Sequence, residues 1–87
     1  MSAIMAEKNI HVEKIEHLPN IFGNYDENIN IIQRHYNVAV FSRGSEIKLT
    51  GVDENVEYAS KVIESLILLS TKGDQITEQS VRYIISM

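Results

Sequence analysis

The stretch Asn20 to Ile32, NIFGNYDENINII, sets a glycine and a few polar residues directly ahead of an amphipathic run. Such an entry can hold phosphate, because the unpaired N–H groups and positive dipole end of an open helix N-terminus attract anions. Here Asp26 and Glu27 occupy the entry, and no lysine or arginine lies between Gly23 and Gln33. Those carboxylates complement the helix dipole and repel a phosphate from the same place. Like charges near 4 Å cost about 1 kcal/mol each in high dielectric, and more where water is partly excluded. The expectation is a helix start that has filled its own site. Tyr25 is the loop's aromatic residue; it could stack on a base, but the simpler expectation is a ring leaning on the short helix before it.

Other residue types with chemical potential do not assemble. His11, His17 and His35 lack metal-ligand spacing, and without cysteine neither disulfides nor thiolate metal sites can form. Glu13, Asp26, Glu27, Asp53 and Glu54 include no pair beside a nucleophile or base, and acidic residues at helix starts ordinarily cap. No catalytic residue is expected, and no cofactor or metal ligand. The run STKGD at Ser70 to Asp74 has a Lys-Gly pair without the flanking residues of a phosphate loop, and it falls at a helix end, where the dipole repels phosphate. Arg34, Arg43 and Lys48 could form a weak basic strip, although three cations usually make a solvated face.

The elements that must carry these residues belong to one small domain. With 87 residues, 44% hydrophobic and 23% charged, the chain has the composition of a compact domain and not of a disordered tail. Its net charge of -4, with no two basic residues adjacent, disfavours nonspecific nucleic-acid binding. No apolar run is longer than that of Leu66 to Leu69, far short of the ~20 residues a membrane span needs, so a cytoplasmic protein with no membrane partner is expected.

Residues 1–8 read as an N-terminal tail and 9–87 as the domain. Ile10 and Val12 alternate with Asn9, His11 and Glu13, which predicts a short strand. PNIFG predicts a helical turn begun by Pro19 and stopped by Gly23. Asn24 as N-cap with Glu27 three places on predicts a near-capping-box and a helix to about Tyr36, carrying Ile29, Ile32 and Tyr36. NVAVFSRGSEIKLTG predicts a hairpin around Arg43-Gly44, with Ser42 opposite Ser45, Val40 opposite Ile47 and Val38 opposite Leu49. That register puts Val38, Val40, Ile47 and Leu49 on a core face and Ala39, Phe41, Glu46 and Lys48 on the other, joined by His11 or Glu13. Asp53 is the expected N-cap of a long helix striped by Val56, Ala59, Ile63, Leu66, Ile67 and Ser70 and closed by Lys72 and Gly73. Thr77 caps a last helix carrying Val81, Ile84 and Ile85.

Strand, two helices separated by a glycine loop, hairpin and packing helix is the order of a type I K-homology (KH) domain, whose Gly-x-x-Gly loop clamps single-stranded nucleotides. More closely, the run from LPNIFGNYDEN through SRGSEIKLTG to TKGDQITEQSVRYII resembles the N-terminal KH-like domain of PhoH-like P-loop ATPases. The resemblance implies an α+β fold of order β-α-α-β-β-α with an additional C-terminal helix, its helices on one face of a three-stranded sheet. It also implies a fragment, since this sequence has no Gly-x-x-x-x-Gly-Lys-Ser/Thr motif. ATP and magnesium then belong to a region absent here. The family is linked to phosphate starvation and to RNA metabolism. Gly23, Asn24, Tyr25 and Asp26 stand where the KH loop would be, with Asp26 in place of its second glycine.

Two functions follow as expectations. One is an accessory domain that docks on its own ATPase region or a neighbouring subunit through the open sheet face of Ala39, Phe41, Glu46 and Lys48. The other is a weak single-stranded RNA module using Tyr25, Arg34, Arg43 and Lys48. An apolar open face would favour docking, and a continuous basic groove would favour RNA.

Overall fold

The computed structural model describes residues 4–87. Strand β1 (Met5–His11) leads through a 3-10 turn at Ile15–His17 into α1 (Leu18–Phe22), then a second 3-10 turn at Asn24–Asp26 and α2 (Glu27–Tyr36). The hairpin of β2 (Ala39–Arg43) and β3 (Glu46–Val52) follows, then α3 (Asp53–Thr71) and α4 (Glu78–Ser86). The fold is α+β, with one antiparallel sheet in the order β1-β3-β2.

Period-two alternation sorts the central strand cleanly: Ile47, Leu49 and Gly51 are buried, while Glu46, Lys48, Thr50 and Val52 are not. Helix α3 packs on β1 and β3, α2 reaches β2, and α4 lies outside on α2 and α3. All helices therefore sit on one side of the sheet. Ile21, Ile29, Ile32, Ile63 and Leu66 close the core against Ile47 and Leu49. Each such fully buried side chain contributes about 2 kcal/mol. In α3 the buried residues Val56, Ala59, Ile63, Leu66 and Ser70 follow the predicted stripe, and Ser60 and Val62 broaden it.

The structure corrects the sequence reading at five places. Strand β1 begins at Met5, so residues 5–8, expected in a tail, pair with β3 from Met5↔Val52 to Lys8↔Leu49; residues 1–3 of that tail lie outside the described residues. Lys8 occupies a helix-facing register position and sends its ammonium to Glu57 (3.6 Å) and the Ser60 hydroxyl (3.3 Å), so the strand shows no apolar alternation there. In the hairpin, Val40 faces Leu49, Phe41 faces Lys48 and Arg43 faces Glu46, which places the turn at Gly44-Ser45. The expected register is displaced by two residues, an even shift that leaves both faces intact. Gly44, with φ 62, takes the first central position of the turn, where a two-residue hairpin loop favours glycine.

The remaining corrections concern caps and one ring. Asn24 caps nothing: it belongs to the 3-10 turn, and α2 starts at Glu27 behind a left-handed Asp26 that makes no side-chain cap bond. Asp53 is the first residue of α3 and not its N-cap; Val52 takes that place. Tyr25 does not lean on α1 but is 99% exposed. The Thr77 cap of α4 is present as a capping box with Ser80.

Candidate functional site

The loop from Gly23 to Asp26 gains its shape from three residues with unusual backbone angles. Gly23 has φ 81 and ψ 176, and Tyr25 (φ 54) and Asp26 (φ 58) are both left-handed. This path throws the Tyr25 ring outward. Beneath it, Asn28 is fully buried and donates through Nδ2 to the carbonyls of Asn20 (3.3 Å) and Ile76 (3.2 Å). Asn20 in turn donates to the Ser70 hydroxyl (2.9 Å) and the Asp74 carbonyl (2.9 Å), and its Oδ1 accepts from the Ile76 N–H (2.9 Å). His17 Nδ1 meets Ser70 Oγ at 2.7 Å. A chain of polar side chains thus ties α1, the start of α2, the end of α3 and the loop before α4. A β-carbon at Gly23 would stand 2.8 Å from Asn28 Nδ2. This glycine is needed for packing as well as for its backbone angle.

The basic candidates are not brought together. Arg43 and Lys48 share the open sheet face, Arg43 opposite Glu46 and Lys48 paired with Glu7 at 3.2 Å. Arg34 lies on α2, in the helix layer behind the sheet. Tyr25 stands at the far end of that helix, about 10 Å along its axis. Of the histidines, His17 joins the polar chain, His11 is on β1 and His35 sits edge-on to Tyr36 at 4.7 Å. Among the described residues no group of three potential metal ligands forms, and no helix is long and apolar enough to cross a membrane.

Ala39, Phe41, Glu46 and Lys48 do share the open face, joined by His11 but not by Glu13, which follows the end of β1. Phe41 is 45% exposed. Charges surround it, since Glu7, Lys48, Arg43 and Glu46 come from all three strands. The face is mixed in charge, neither an apolar patch nor a basic groove.

A mainly apolar surface lies elsewhere. A groove of about 990 Å³ runs between α3 and α4 and reaches the end of α2. Tyr58, Lys61, Ser65 and Leu68 line it from α3 at spacings of three and four, a second stripe beside the buried one. Tyr83, Ile84 and Met87 line it from the α4 side. Leu68 is 59% exposed and Tyr83 69%. At its end Tyr36 stacks near Tyr58, ring centroids 6.4 Å apart, and partial burial raises the Tyr36 phenol pKa above its ordinary value. The sequence carried a signal for this groove: four consecutive apolar residues, Leu66 to Leu69, span more than one helix face, so one of them must point away from the core.

These features define a small α+β domain with a self-packed glycine loop and an apolar helix groove. No protein-family model matches the chain. It is 34% identical over 68 residues, 78% of its length, to a PhoH-like protein of Bacillus subtilis. It is 30% identical over 67 residues to PhoH-like proteins of Mycobacterium tuberculosis and Mycobacterium bovis, 77% of this chain in each case. The chain is a homologue of one domain-sized part of the PhoH-like proteins. The matched stretch spans about a fifth of the length of these relatives, 21% of the first and 19% of the others.

Proposed function

We propose that this chain is the KH-like accessory domain of a PhoH-like ATP-binding protein and that it docks on the ATP-binding region of that polypeptide through the α3–α4 groove. The observation that carries the reading is the exposed apolar groove on a domain equivalent to only a fifth of its relatives. Roughly four-fifths of such a polypeptide lies outside the match and supplies the occupant. Tyr58, Leu68, Tyr83 and Met87, all exposed, flank the groove and are the apolar side chains an interface between domains of one chain would bury. The β-α-α-β-β-α order and the β1-β3-β2 sheet support the KH-like assignment. ATP and magnesium are assigned to the region outside the match, and no residue of this chain is given a part in holding them. The open sheet face, with Ala39 and Phe41, is the lesser contact.

The test is to mix the chain with the remainder of a PhoH-like polypeptide, such as that of the Bacillus subtilis relative, and to measure association by calorimetry. Leu68→Ser with Tyr83→Ser weakens association at least tenfold and leaves the melting temperature of the chain almost unchanged. Equal association by the double variant overturns the groove assignment.

A second reading rests on one observation, the fully exposed ring of Tyr25 at the helix entry. It makes the chain a weak single-stranded RNA module, with stacking on Tyr25 opposed by Asp26 and Glu27 beside it. Loss of RNA binding in Tyr25→Ala, measured by fluorescence anisotropy, would favour it.

A further inference from the structure

The two edges of the sheet are not equivalent. Val12 N–H donates to the Ser45 carbonyl and Asp53 N–H to the Ile4 carbonyl, each at 2.7 Å, and these bonds bracket the β1–β3 ladder at both ends. They fix its phase: the even-numbered residues of β1 bond to β3, and Met5, Glu7, Asn9 and His11 turn their N–H and C=O groups away from the sheet. On β3 the groups of Glu46, Lys48 and Thr50 then turn toward β2, so the outward groups of β2 belong to Val40 and Ser42. The Val40 N–H is already taken by the Gln33 side-chain oxygen at 2.8 Å. The edge of β2 is thereby blunted by a side chain of α2. No hydrogen bond among the described residues reaches the outward groups of β1, and all four residues that carry them are exposed. An unprotected edge of this length is a template for another strand.

We infer that the free edge of β1 pairs antiparallel with β1 of a second copy of this chain, about a two-fold axis at Asn9. Polar complementarity, a carboxylate set against an imidazole with no like charges opposed, selects both the occupant and the register. With the axis at Asn9, Glu7 faces His11 of the second copy and His11 faces its Glu7, while the two Asn9 amides face each other. Every outward-pointing residue then meets an outward-pointing residue, as hydrogen-bonded pairs require. Moving the axis to Glu7 opposes two carboxylates, and moving it to Lys8 opposes two ammonium groups. Moving it to Ile10 opposes Glu7 and Glu13. Like charges directly opposite destabilise a strand pair. On the helix side the chosen register sets Lys8 opposite Ile10 of the second copy. Ile10 belongs with Glu64 and Ile67 to a shallow cavity of about 400 Å³ between β1 and α3, so the Lys8 stem covers a half-buried apolar lip while its ammonium keeps Glu57 and Ser60. The product is a continuous six-stranded sheet with all helices on one side.

Sedimentation equilibrium of the chain from micromolar to millimolar concentration tests this, with two variants. Asn9→Pro removes an outward N–H and no bond of the monomer's own ladder, which an edge position tolerates; it weakens association at least tenfold, with circular dichroism showing the fold retained. Asn9→Cys places the chain's only thiols about 5.5 Å apart between α-carbons on the axis, within disulfide reach. Glu7→Cys leaves them about 14 Å apart, four strand residues along. Mild oxidation therefore cross-links Asn9→Cys and not Glu7→Cys. A chain that stays monomeric at millimolar concentration, a dimer indifferent to Asn9→Pro, or equal cross-linking of the two cysteine variants overturns the inference.

Discussion

Replacing Gly23 with alanine separates two reasons for a glycine at the head of α2. Its φ of 81 and ψ of 176 lie in a region that residues other than glycine occupy at about 1–3 kcal/mol. The added β-carbon would also stand 2.8 Å from Asn28 Nδ2 and 2.9 Å from its Cγ. The Glu27 side chain, 3.0 Å away and exposed, can swing aside. Asn28 cannot, because it is buried and holds the carbonyls of Asn20 and Ile76. Displacing it forfeits two hydrogen bonds of about 1 kcal/mol each. The expected loss is about 3–5 kcal/mol, which for a domain of this size lowers the melting temperature by on the order of 20 °C. Gly73→Ala is the control, since its φ of 94 is also positive but nothing lies within 4 Å of the added carbon; it should lose only the backbone part, about 1–2 kcal/mol. Urea denaturation of both variants, and of Gly23→Ala combined with Asn28→Ala, gives the values. In the double variant the clash is gone, so the combined loss falls short of the sum by about 1–2 kcal/mol. Equal losses for Gly23→Ala and Gly73→Ala, or strict additivity in the double variant, would refute the packing role of Gly23.

Three further outcomes are expected. Thr77→Ala costs about 1 kcal/mol because the Thr77 hydroxyl accepts from the Ser80 N–H, whereas Asp53→Ala, whose carboxylate makes no cap bond, stays within about 0.5 kcal/mol; denaturant midpoints distinguish them. Phe41→Ser shifts the melting temperature by only a few degrees, since the ring is almost half exposed, while Val40→Ser, on the buried face of the same strand, lowers it much further in the same thermal scan. Asp26→Gly with Glu27→Lys tightens single-stranded RNA binding read by anisotropy, because repulsion is removed and a left-handed non-glycine residue is relieved; unchanged binding would mean that these carboxylates are not what opposes phosphate.

The parts of the fold legible in the sequence were those set by periodicity. Val40, Ile47 and Leu49 alternate strictly, so their faces survived even a hairpin register displaced by two residues. The register itself was not legible, because it hung on whether Gly44 takes the first or second place of the turn, and both choices leave the alternation satisfied. The start of β1 was hidden by Lys8, which sits at a helix-facing position and resolves the conflict by reaching Glu57 and Ser60, partners 49 or more residues away. Caps divided in the same way. Thr77 and Ser80 form a local reciprocal pair that spacing predicts, whereas Asn24 had the right spacing and lost its role to two successive left-handed residues, Tyr25 and Asp26. No propensity favours tyrosine in that conformation.

The same loop explains where interaction surfaces can lie. In an open anion cradle the glycine keeps side chains away from a ligand that approaches from outside. Here the space a β-carbon would fill at Gly23 is already occupied from inside by the Asn28 amide. That amide is one link in a chain from His17 through Ser70 and Asn20 to Ile76, which joins four segments of the fold. Opening the loop for a ligand would therefore loosen the packing of α1 against α3 and of the segment that leads into α4. Reshaping is far cheaper where surfaces are already bare: the α3–α4 groove, where Leu68 and Tyr83 are exposed, and the β1 edge, where the outward N–H and C=O groups of four residues meet no partner among the described residues. The helix start that looks most like a binding site is, in this chain, tied from inside to α1 and to the segment before α4 through Asn28.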